Sequence, residues 1–194
     1  MINKLSCKLS NILGNSINST DQEKEIYTYS IEVLLSLMLN IVILFETAYI
    51  IGKIPEFIVF IIFFSGLRTY AGGYHAKSHI ECMTESLVIF FISAMSNSWF
   101  RSDGELFLAI GIVASIFLVF KYAPSESGNK PLSSNKQKKY KTISKNILIL
   151  YCSTIIILYF YRVQTNYIFL TAVVAMLIES ISLIIPENHS YSEL

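Results

Sequence analysis

The run VLLSLMLNIVILFETAYII, Val33–Ile51, has the length and composition of a helix that crosses a bilayer. About 20 predominantly apolar residues suffice to cover roughly 30 Å of hydrocarbon. This run of nineteen holds a single charge, Glu46. Leu87–Phe91 with its flanks, Leu106–Phe120, Ile147–Tyr161 and Tyr167–Ile185 repeat the pattern further along the 194-residue chain. With 53% apolar residues and a positive mean hydropathy, the chain exceeds the usual range for a soluble globule. The sequence therefore predicts an all-α, polytopic integral membrane protein.

On the N-terminal side of that run, Thr20 followed by Glu23 resembles a capping box, and starts a long helix through Ile26 and Val33 to Ile51. The first span is expected at about 30–51. Before it, Leu5, Leu9, Ile12, Leu13 and Ile17 recur at helical spacing among Lys, Ser and Asn. That suits an interfacial amphipathic helix over 1–19, and it suits a short packing helix equally well. The first 30 residues lack a continuous apolar core and a small-residue cleavage site, so the first span, not a removed signal peptide, is the expected targeting signal.

On the C-terminal side, Gly52-Lys53-Ile54-Pro55 reads as a tight turn. Further spans are expected at about 55–70, 82–100, 105–122, 143–161 and 166–185, with a basic loop over 123–142. The expectation is thus a single membrane domain over 1–194 with about six transmembrane helices and both termini on one side. Of the 15 Lys and Arg residues, 12 fall on the side of the termini, and only Lys53, Arg101 and Arg162 on the other. Positively charged loops stay cytoplasmic during insertion, which puts both termini inside. The 121–145 segment is the most basic; topology alone explains it, and an acidic or membrane-bound peptide is the other reading. The near-zero net charge and the placement of the basic residues give no reason to expect a nucleic-acid partner.

Cys7, Cys82 and Cys152 lie in three different settings and do not suggest a disulfide framework. The densest polar cluster beside a span is RTYAGGYHAKSHIEC, Arg68–Cys82. It holds both members of a Cys/His pair, His75 and Cys82. A cysteine nucleophile attacks as a thiolate, and a neighbouring imidazole takes its proton and later gives it to the leaving amine. Seven residues of regular helix would hold the pair about 10.5 Å apart along the axis, out of hydrogen-bond reach. Gly72-Gly73 permits the bend that would bring His75 back over Cys82, on a loop at a cytoplasm-facing cavity.

Arg68 could bind a substrate carboxylate or stabilise an oxyanion, or anchor a helix end in the headgroup region. The rival chemistry uses His75, His79 and Cys82 at i, i+4 and i+7, one face of a helix, as ligands for zinc or copper in a metal-binding or transport protein. A helix favours the metal; a bent loop favours the Cys-His pair. Glu46 and Glu179 are intramembrane carboxylates near the ends of their spans, where structural roles are the default. Cys152 reads as a small core residue, and Cys7 has no neighbouring base.

The motif Arg68…Gly72-Gly73-Tyr74-His75-Ala76…Cys82, with Ala123-Pro124…Asn129-Lys130-Pro131-Leu132 further on, resembles the accessory gene regulator B (AgrB) family of quorum-sensing membrane peptidases. The resemblance covers most of the chain. It implies a cysteine endopeptidase of the bacterial cell membrane that cleaves an AgrD-like propeptide. Cys82 would be the nucleophile, His75 its general base, and Arg68, Gly72 and Gly73 supporting motif positions. An acyl-thioester on Cys82 would be the intermediate that a Cys or Ser of the propeptide attacks to close a thiolactone or lactone. No metal or organic cofactor is implied; the partners are the propeptide and membrane lipid, and a homodimer is admitted.

Overall fold

A computed structural model of the protein describes residues 2–17, 19–73, 78–100, 104–125, 133–161 and 166–185. Those residues form seven helices and no strand: α1 (Ile2–Ser16), α2 (Asp21–Ile50), α3 (Ile54–Ala71), α4 (His79–Trp99), α5 (Gly104–Tyr122), α6 (Ser134–Phe160) and α7 (Asn166–Ser182). The chain divides after Ile50 into two compact units.

In the first unit, Thr20 and Glu23 form the reciprocal capping box expected from the sequence. The Thr20 N–H donates to Glu23 Oε2 at 2.8 Å, and the Glu23 N–H donates to Thr20 Oγ1 at 3.4 Å. The small stripe Ser6, Ser10 and Gly14 of α1 is buried. Ser10 shares a hydrogen bond with Thr28 of α2, and the Gly14 Cα lies against the Lys24 side chain. Leu5, Leu9, Ile12 and Leu13 remain exposed on the opposite side. Helix α1 therefore packs through its small residues and leaves its apolar stripe open.

In the second unit α7 is the hub. It packs against α3, α4, α5 and α6, and Phe169 through Met176 are buried in an unbroken run. A helix apolar on every side belongs inside a bundle. The core joins Leu67 and Ala71 of α3, Val119 of α5 and Leu148 and Cys152 of α6 to Val173 and Met176 of α7. Small residues let helices approach: Ser93 and Ala94 of α4 are fully buried, and Gly111 of α5 leaves room that Val173 fills. By contrast Ile62, Val88, Phe91, Ile110, Val113, Phe117 and Ile149 point outward. A belt of exposed apolar side chains on this scale is stable only in lipid.

Helices α2 to α6 are each long and apolar enough to span a bilayer. Helix α7, the expected sixth span, has 17 residues, about 25 Å of rise, and is shielded by its neighbours. Two expectations change. The third span begins three residues early, at His79. The 123–142 segment is not loop throughout, since α6 starts at Ser134: lysine is a good helix former, and the Lys-rich stretch simply extends the span's helix past its apolar part.

Candidate active site

Helix α3 carries Arg68 in its last turn and ends at Gly72, whose φ of 78° with ψ −146° is a backbone conformation essentially confined to glycine. Gly73 follows at φ 129°. Space as well as dihedral demands glycine at both positions. A Cβ on Gly72 would run into the Ser125 carbonyl oxygen, and one on Gly73 would run into Ser182 Oγ and come within 3.0 Å of Glu179 Oε1. The Ser125 contact is held by its N–H, which donates to the Ala71 carbonyl at 2.8 Å. The Ala123–Pro124 segment, whose peptide is cis, thus lies against the bend, and α7 lies against its other side.

Arg68 is paired with a buried carboxylate of α7. Its Nη1 donates to Glu179 Oε2 at 3.0 Å, with the Arg68 side chain 25% exposed and that of Glu179 0%. The guanidinium carbon also sits 5.5 Å from the centre of the Phe64 ring, a cation–π contact. Arg68 is within electrostatic reach of Glu85, one turn along α4 from Cys82.

Across the bend, Ser78 is extended, at φ −134° and ψ 155°, and caps α4 by accepting the Glu81 N–H at 3.2 Å. Cys82 makes the first helical bond of α4, its N–H donating to the Ser78 carbonyl at 3.0 Å. Its thiol is exposed and not in a disulfide, so it is open to a substrate arriving at this end of α4. His79 is exposed on the same first turn. His75 lies outside the described residues.

The three-ligand reading required one regular helix through His75, His79 and Cys82. The extended backbone at Ser78 caps α4, which begins at His79, so the helix that His79 and Cys82 share does not extend back through Ser78. Among the described residues no three His, Cys, Asp or Glu side chains converge as a metal-binding group.

The family model of accessory gene regulator B matches residues 6–183. The chain belongs to the accessory gene regulator B family. It is 31% identical over 158 residues to a Clostridium perfringens (strain SM101 / Type A) protein described as AgrB-like, covering 78% of this chain and 74% of that one. It is 26% identical to an AgrB-like protein of Clostridium beijerinckii, over 93% and 89% of the two chains. To accessory gene regulator protein B of Staphylococcus aureus (strain MW2) it is 29% identical, over 54% and 56%. No solved structure matches.

The structure sets Arg68 and Gly73 beside Glu179, and Gly72 against Ser125, partners that the motif does not name. Ser125, Ser182 and Glu179 come from distant parts of the chain. Glu179 was recoverable: charges inside a membrane pair with one another, and Arg68 and Glu179 stand near the same ends of their spans.

Proposed function

We propose that this protein is a membrane cysteine endopeptidase of accessory gene regulator quorum sensing, acting on an AgrD-like propeptide at the cytoplasmic face of the bacterial cell membrane. The observation that carries the reading is the break between α3 and α4. Glycines at φ 78° and 129° and an extended Ser78 bound the segment containing His75, so the chain is bent where the Cys-His mechanism needs it bent. Membership in the AgrB family and the one-sided placement of basic residues support the same reading.

In the proposed reaction His75 takes the proton of the Cys82 thiol, and the sulfur attacks the scissile carbonyl. The C–N bond breaks as the imidazolium gives its proton to the leaving amine, and the acyl group stays on Cys82 as a thioester. A thiol or hydroxyl of the same propeptide then passes its proton to His75 and attacks the thioester. The Cys82 sulfur leaves and regains that proton, and a thiolactone or lactone ring is closed. A tethered nucleophile competes with water through its high effective molarity. Arg68 and the glycine bend support the site, and no cofactor takes part. Membrane lipid surrounds the protein, both termini face the cytoplasm, and a homodimer is compatible with this scheme.

The test is co-expression with the propeptide, with cleavage followed by mass spectrometry. Cleavage lost in Cys82→Ser and His75→Ala but kept in His79→Ala is the expected pattern. Cleavage that survives Cys82→Ser would sink the proposal.

A further inference from the structure

Glu179 is fully buried in the last helix, where a carboxylate is expensive unless each oxygen is satisfied. Oε2 is satisfied by Arg68 at 3.0 Å. Oε1 is buried and has no hydrogen-bond partner among the described residues, yet it lies where a Cβ on Gly73 would come within 3.0 Å. Ser182, one turn on, donates its hydroxyl hydrogen to the Glu179 carbonyl at 2.7 Å, which holds its Oγ against the same glycine. An ion pair kept for stability alone gains little over an apolar pair of the same shape. Here the carboxylate sits instead between the last turn of α3 and the point where the chain leaves it.

From this geometry we infer that Glu179 is a positioning residue for the peptidase reaction: it fixes Arg68 through one oxygen and backs the Gly73 bend with the other. The inference rests on the peptidase reading. Glu179 is too deeply buried to meet a propeptide, so it acts through Arg68 and the bend. The segment that follows Gly73 holds His75 and leads into the helix of Cys82, and it starts where Glu179 and Ser182 lie against Gly73.

The test uses the full-length protein in nanodiscs with a synthetic AgrD-like propeptide, and compares wild type, Cys82→Ser, Glu179→Gln, Glu179→Asp, Arg68→Gln and the double variant Arg68→Gln/Glu179→Gln. Glu179→Gln is expected to lower kcat at least about tenfold while KM moves less than about threefold. Glu179→Asp, which keeps the charge, is expected to recover part of that loss. Because Glu179→Gln keeps the side chain's shape against Gly73 and removes only the charge that fixes Arg68, the double variant is expected to be within about twofold of Arg68→Gln alone. It leaves no uncompensated buried charge, so it also serves if Glu179→Gln does not fold. A Glu179→Gln enzyme within about twofold of wild-type kcat, or a double variant as fast as wild type, overturns the inference while an inactive Cys82→Ser leaves the peptidase reading standing. Cleavage by Cys82→Ser removes that reading and this inference together.

Discussion

The Tyr151 hydroxyl of α6 donates its hydrogen to the Ile62 carbonyl of α3 at 2.8 Å, and the Gly66 Cα one turn later makes room for the tyrosine oxygen. The contact falls where α3 widens to a π turn over Ile61–Ser65, a local irregularity that needs a specific partner to persist. It lies immediately before the turn that carries Arg68, so the aim of Arg68 is set partly from α6.

Tyr151→Phe is expected to lower stability in detergent by about 1 kcal/mol, the loss of one interhelical hydrogen bond. Gly66→Ala is expected to cost more, about 1–3 kcal/mol, because its methyl would occupy the place of the tyrosine oxygen. Thermal unfolding of the double variant separates the two effects: if the collision is the cause, Gly66→Ala costs less in the Tyr151→Phe background than in wild type.

Gly72→Ala and Gly73→Ala each place a side chain at positive φ, which costs about 1–3 kcal/mol at such positions. Each also meets a fixed neighbour, Ser125 for the first and Ser182 with Glu179 for the second. Both variants are expected to insert normally and to process propeptide at least about tenfold more slowly. Adding Ser182→Ala to Gly73→Ala is expected to recover part of that loss, and the same addition to Gly72→Ala none of it. Equal recovery in both backgrounds would contradict the contacts described.

Ser78 holds the turn that carries Cys82. Removing a cap of this kind costs about 1 kcal/mol, so Ser78→Ala is expected to speed hydrogen exchange at the Glu81 amide about fivefold. Ser78→Asn, which restores an acceptor, is expected to bring exchange back toward wild type.

Glu23 gives a pH dependence outside the membrane. Hydrogen bonds from the Thr20 backbone and hydroxyl hold its carboxyl below the usual carboxylate range. A depressed folded-state pKa stabilises the folded form above the unfolded pKa, and that contribution fades as the pH falls through the folded value. Fraying of the first turn of α2, followed by hydrogen exchange, is therefore expected to increase on acidification in wild type relative to Glu23→Gln. Identical pH profiles for the two proteins would exclude the cap as the source.

Much of this architecture was legible from local signals. Thr20 and Glu23 announced the start of α2, and apolar runs located the spans, because capping and bilayer thickness act over a few residues. Gly72 and Gly73 announced the bend that ends α3. Three features were not legible. The start of α6 at Ser134 was hidden because hydropathy marks where a helix enters lipid, and says nothing of lysine-rich turns beyond it. The π turn opposite Tyr151 depends on a contact between residues 89 apart. Ser125 and Ser182, which define the space at the two glycines, are ordinary polar residues whose role exists only once distant helices pack.

The clamp on the glycine bend also has an order in time. Glu179 and Ser182 lie almost a hundred residues after Cys82, which at ribosomal speeds of roughly 5–20 residues per second is a delay of about 5–20 s. During that interval the thiol-bearing helix is already made while the helix that braces the bend is still in the ribosome. A chain released prematurely, short of its last helix, would carry Cys82 without the residues that close around Gly73.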